Sequence, residues 1–140
     1  MSGFVPKLNV AGDAWTSNDW EDQTSRAQKV STYSGNVANA AAVAALPAVA
    51  AKTNYITKAD FFSGGATSAS IVLATVAGLL GGTRSFPVAV PAGVLVGGMV
   101  TLTFDPPLPA SAVNTAITVT LPALGAGNTN ASATVSGLLI

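Results

Sequence analysis

Val100-Thr101-Leu102-Thr103-Phe104 and Ile117-Thr118-Val119-Thr120-Leu121 decide the fold. In both stretches every second residue is apolar and every residue between is threonine. Successive side chains of a strand point to opposite faces, so this period of two gives one face to bury and one to turn outward. Threonine is β-branched and suits a strand surface. Weaker runs at residues 55–62, 70–76, 86–90 and 130–138 extend the pattern on both sides. Turn signals separate them: Ser63-Gly64-Gly65, Gly81-Gly82, Pro91-Ala92-Gly93, Gly97-Gly98, Asp105-Pro106-Pro107 and Gly125-Ala126-Gly127-Asn128. Residues 37–46 fit either a strand or a helix. Nine of the fifteen residues 37–51 are alanine, which favours helix, and Pro47 ends the run. Six or seven short strands within about 100 residues predict an all-β domain, an antiparallel β-sandwich or jelly roll. No strong helical period lies between them, which argues against a βαβ fold. Jelly-roll and immunoglobulin-like strand orders both fit.

The charges divide the chain differently. Residues 1–36 hold seven of the twelve, with Phe4, Trp15, Trp20 and Tyr33, while the last eighty residues hold only Arg84 and Asp105. This predicts an extended N-terminal arm over 1–36 and a β-sandwich domain over 37–140. Within the arm only residues 18–30 look helical. Asn18 stands as N-cap with Glu21 three residues on, Asp22 and Arg26 are spaced i,i+4, and the apolar face is only Trp20, Ala27 and Val30. So thin a face needs a surface to lie on. That surface is the arm's own β-domain, a neighbouring copy or another protein. Burying one tryptophan removes about 150–250 Å² from water, which makes Phe4, Trp15, Trp20 and Tyr33 the candidate partner-interface residues.

Composition excludes several classes. Six basic and six acidic residues in 140 cancel, so no basic excess draws the chain to nucleic acid or an anionic membrane. His and Cys are both absent, which removes disulfides, imidazole and thiolate metal sites, histidine bases and cysteine nucleophiles. The apolar stretches 69–82, 86–100 and 37–51 are short or broken by Gly and Pro, so no membrane-spanning helix is expected. The first residues lack a basic segment followed by an apolar core, and no secretory signal is read there.

Catalytic candidates are few. Without His a serine triad is impossible, and nothing around Lys52 or Lys58 marks a Ser–Lys variant. Asp13, Asp19, Glu21 and Asp22 lack the ligand spacing of a calcium loop. Asp60 and Asp105 are the sole carboxylate pair of the β-domain and read as surface residues. Asn130-Ala131-Ser132 is a formal glycosylation sequon of the kind expected by chance. No enzyme, no metal and no cofactor is expected. Neutral Thr, Ser, Asn and Gly surfaces suit packing between subunits, which predicts a symmetric homo-oligomer.

The stretch Ala44-Ala45-Leu46-Pro47-Ala48-Val49-Ala50-Ala51-Lys52-Thr53-Asn54-Tyr55-Ile56-Thr57 carries a resemblance. An apolar strand, a Pro-Ala-Val step and a basic-polar-aromatic strand lead into a T-x-x-x-F pattern. Val88-Ala89-Val90-Pro91-Ala92-Gly93, Phe104-Asp105-Pro106-Pro107-Leu108-Pro109-Ala110 and Asn114-Thr115-Ala116-Ile117-Thr118-Val119-Thr120 have the same character. Over residues 40–140 the chain resembles head decoration (cement) proteins of tailed bacteriophages. The resemblance implies a jelly roll, a trimer on the capsid surface of the virion, the major capsid protein as partner, and the fastening of neighbouring capsomers. It carries over no catalytic residue and does not cover residues 1–36. Two other classes are kept: a receptor- or glycan-binding module of a phage fibre, tail or cell surface, and a filament or pilus subunit whose arm donates a strand.

Overall fold

A computed structural model describes residues 27–140. These residues form eight strands: β1 (Gln28–Tyr33), β2 (Ala42–Leu46), β3 (Asn54–Gly64), β4 (Ser70–Ala77), β5 (Arg84–Val90), β6 (Gly97–Pro109), β7 (Ile117–Leu121) and β8 (Ala131–Leu139). They build two four-stranded sheets, sheet A in the order β1-β8-β3-β6 and sheet B in the order β2-β7-β4-β5. Every pairing is antiparallel.

The pairs nest. The first strand pairs with the last, the second with the seventh, the third with the sixth and the fourth with the fifth. The chain is thus one long hairpin folded over itself, and β3–β8 and β4–β7 join its pairs into two sheets. That is the jelly-roll arrangement. An immunoglobulin-like sandwich puts its first two strands in one sheet, whereas here β1 and β2 lie in different sheets. The strand order left open by the sequence is therefore settled.

The alternating stretches behave as their chemistry dictates. Ile117, Val119 and Leu121 are fully buried between the sheets, while Thr118 and Thr120 face outward. On β8, Ala131, Ala133, Val135, Gly137 and Leu139 turn inward. Phe61 is the largest fully buried side chain. On β6, Val100, Leu102 and Phe104 pack against the core yet are only half-buried, because β6 is an edge strand. Two asparagines tie the ends of the barrel-like stack. Asn54, 1% exposed, donates its amide to the carbonyls of Pro47 at 2.9 Å and Thr115 at 3.0 Å. At the opposite end buried Asn128 donates to the Asn130 carbonyl at 3.0 Å and accepts the Asn39 N–H at 3.1 Å.

Three expectations need correction, and one alternative is resolved. Residues 28–30, placed at the end of a helix, belong to β1, and the rest of that helix, apart from Ala27, lies outside the described residues. No helix occurs among the described residues. The compositional boundary at residue 36 also cuts the folded unit, since β1 pairs with β8 over its whole length. β1 reads as polar because it is an edge strand whose inward residues, Val30 and Thr32, are only half-buried. The alanine run, which fitted strand or helix, is a strand at Ala42–Leu46: tertiary packing of Ala42, Ala44 and Leu46 outweighs the helix propensity of alanine. Asp105-Pro106-Pro107 is not a turn between strands but lies inside β6. There the register shifts, and residues 104–107 stand opposite Thr57 alone as a wide irregularity of the edge strand.

Candidate functional site

The two sheets turn different chemistries outward. On sheet A the outward positions run in cross-strand rows: Ser31, Ser136, Lys58 and Thr103 in one, Tyr33, Thr134, Asp60 and Thr101 in the next. The Ser31 and Ser136 hydroxyls lie 3.0 Å apart. Thr101 donates to the Asp60 carboxylate at 2.7 Å, and Lys58 pairs with the same carboxylate at 3.2 Å. This pair is half-exposed on its lysine side and contributes little stability. Sheet A is a hydroxyl-rich face with charges.

Sheet B carries no charge on its outward positions. Val43, Thr120 and Thr75 form one cross-strand row, and Ala45, Thr118 and Ala77 the next. Toward β5 stand Leu73 opposite Pro87 and Ile71 opposite Ala89. Ile71 is 73% exposed and Leu73 54%. Arg84 sits at the end of β5, opposite Val76, away from Ile71.

The loop between β5 and β6 continues this neutral surface around the edge of the sandwich. Val94, Leu95 and Val96 are all exposed, Leu95 at 97%. Met99 and Phe62, paired across β6 and β3, follow directly on the sheet A side. The loop is not a loose strand of chain. The Ala66 N–H donates to the Pro91 carbonyl at 3.1 Å, Gly93 donates back to Ala66 at 2.8 Å, and Val96 donates to Gly93 at 3.0 Å. Gly65 packs so closely beneath that a Cβ there would run into the Gly93 carbonyl oxygen. Three backbone hydrogen bonds thus anchor a loop whose apolar tip is exposed.

The residues singled out from the sequence fare unequally. Phe4, Trp15 and Trp20 lie outside the described residues. Tyr33 stands on the outer face of β1 opposite Thr134, 62% exposed. Of the β-domain aromatics, Phe61 is core, Phe86 and Phe104 pack against it, Tyr55 is half-buried, and Phe62 faces outward. Asp60 is engaged by Lys58 and Thr101, and Asp105 lies at the β6 irregularity, about three residues or roughly 10 Å further along the strand pair. An open groove of about 390 Å³ is lined by Lys29, Ser31, Thr57, Ser136 and neighbours. Its hydroxyls already bond within the sheet, Thr57 to the Ser136 carbonyl at 3.1 Å and Ser31 to Ser136. Among the described residues no group of three or more His, Cys, Asp or Glu could hold a metal ion, and no helix is long and apolar enough to cross a membrane.

The sequence did not single out Ile71, Leu73 or Leu95. Ile71-Val72-Leu73-Ala74 is apolar without alternation, a pattern that reads as burial on both faces. β4 buries one face only. A one-sided strand with an unbroken apolar run was the available signal. Compared with known protein families, curated proteins and solved structures, the chain matches none.

Proposed function

We propose that this chain is a non-enzymatic structural protein of a virion, a capsid decoration protein that trimerises on the capsid surface and fastens neighbouring capsomers. The observation that carries the reading is the charge-free outer face of sheet B with Ile71 and Leu73 exposed. An apolar face of this kind marks a protein contact rather than a site of chemistry. The jelly roll agrees with the resemblance over residues 40–140, and that resemblance supplies the capsid. In this reading the arm, with Phe4, Trp15 and Trp20 as anchors, reaches the major capsid protein. Added buried area across capsomer boundaries raises the work of separating them.

A second reading rests on sheet A. Tyr33 and the Ser and Thr rows beside it form a flat, hydroxyl-rich face with an exposed aromatic, which favours a receptor- or glycan-binding module of a fibre or cell surface. One experiment separates the two. An antibody raised against the chain is applied to particles and cells from a culture carrying its gene, and labelling is located by electron microscopy. The decoration reading expects label spread over the head of tailed particles. Label confined to fibres, tail tips or the cell surface would overturn it.

A further inference from the structure

We infer that in the free chain Trp20 and the carboxylates beside it fold back onto the chain's own sheet A, into the groove at the start of β1. The inference goes beyond the capsid reading and does not depend on it. The charges of the chain are split between its two parts. Residues 1–26 hold four acidic side chains, Asp13, Asp19, Glu21 and Asp22, against the two basic ones of Lys7 and Arg26. Residues 27–140 hold the reverse, Lys29, Lys52, Lys58 and Arg84 against Asp60 and Asp105. Lys29 and Lys58 stand on sheet A, and Lys52 lies two residues before β3. Asp60 is already engaged by Lys58 and Thr101, and Asp105 is on β6, the edge of the sheet furthest from β1. Among the described residues, no acidic side chain pairs with Lys29.

The groove sets Lys29 beside the apolar side chains of Val30 and Leu138 and the hydroxyls of Ser31 and Ser136. Its volume of about 390 Å³ is at the low end of sites that hold a small ligand, and it admits one aromatic ring. A ring flanked by carboxylates matches both of its chemistries. Trp20 has Asp19 before it and Glu21 and Asp22 after it, whereas Trp15 stands between Ala14 and Thr16 and Phe4 between Gly3 and Val5. An exposed lysine–carboxylate pair contributes little alone, so the indole supplies the buried area and the charge decides which face it takes. The tether selects the chain's own segment over a second copy or an acidic partner. Trp20 lies seven residues before Ala27, the first described residue, a stretch that spans at most about 25 Å. Lys29 follows two residues later, within reach of a chain that turns back. So short a tether holds the segment near the groove at about millimolar effective concentration, above that of any micromolar competitor. A partner that takes the arm has first to draw Trp20 out.

The test uses the full chain with Trp15→Phe, which leaves Trp20 as its only tryptophan. Acrylamide quenching of its emission is compared with that of a synthetic peptide of residues 13–26 carrying the same change. The quenching constant of the chain is expected to be about threefold or more below the peptide's, because the docked indole is shielded. It is expected to stay the same from about 1 to 100 micromolar chain, as a contact within one chain requires. Adding Lys29→Glu is expected to raise quenching most of the way to the peptide's value, and Glu21→Lys with Asp22→Lys in that background to lower it again. Quenching at the peptide's level with Lys29 in place overturns the inference, as does shielding that Lys29→Glu leaves unchanged or a charge swap that restores nothing. Shielding that grows with concentration gives the groove to a second copy and overturns it as well. If circular dichroism shows that Lys29→Glu misfolds, Glu21→Lys with Asp22→Lys, both outside the eight strands, is made alone. Exposure of Trp20 in that variant supports the inference, and persistent shielding overturns it.

Discussion

Gly137 stands inward on β8, where a Cβ would run into the Tyr55 carbonyl oxygen and lie 2.6 Å from the Leu46 Cδ1. The neighbour is backbone and cannot turn aside. Gly137→Ala is therefore expected to destabilise the fold by about 1–3 kcal/mol, read by urea unfolding, although alanine is the smallest possible addition. Asn54→Ala tests the opposite kind of residue. Its loss leaves the Pro47 and Thr115 carbonyls without their amide partner, at a cost of about 1–3 kcal/mol. An unchanged unfolding midpoint in either variant would sink the account of that residue. Neither role is legible in the sequence. Gly137 lies mid-strand with no turn beside it, and one of the carbonyls that Asn54 holds is 61 positions away. Both depend on which backbone another strand brings near.

At the scale of elements, β1 belongs to the sandwich through its pairing with β8. Removing residues 1–26 leaves all eight strands, whereas removing 1–36 strips β1 from β8 and bares a new sheet edge. The shorter truncation is expected to keep cooperative thermal unfolding. The longer one should melt lower and aggregate on heating, followed by light scattering during a thermal ramp. Equal behaviour of the two would mean that β1 contributes nothing to the sandwich. Strands with one apolar and one threonine face were legible, even at an edge: β7 and the first part of β6 announce themselves by alternation. The polar edge strand β1 and the proline-bearing part of β6 were not. β1 is polar because half of its surroundings is water, and the proline pair of β6 sits where the ladder is already interrupted, so it carries a turn signal without making a turn between strands.

For the whole molecule, the neutral faces predict how assembly answers to solvent. Association through uncharged surfaces is not screened, so the proposed trimer is expected to persist from about 0.1 M to 1 M sodium chloride, a range over which the screening length falls from roughly 10 Å to 3 Å. Dissociation on adding salt, seen by sedimentation velocity, would point to ionic contacts instead. With no His and no Cys, the chain has no side chain that ordinarily titrates between about pH 5.5 and 7.5, so stability is expected to stay flat across that window. A β-sandwich was legible from strand count and turn spacing, but the nesting that makes it a jelly roll was not. Pairing partners such as β1 and β8 are set by three-dimensional closure and leave no local trace. The candidate contact face was hidden for a related reason: an apolar run shows that a strand has two apolar faces, not that one of them is left uncovered.

The nested pairing has a consequence for how the protein is made on the ribosome. Only β4 and β5 are neighbours both in sequence and in their sheet, so this hairpin is the part that can form early. Every further pair needs one strand synthesised before it and one after. β8, the last strand to emerge, pairs with both β1 and β3 in sheet A. The first half of the chain therefore waits, with its apolar faces unsatisfied, until β8 has been synthesised. A chain cut after Asn130, which removes β8 alone, should behave not as a slightly smaller protein but as one that never folds.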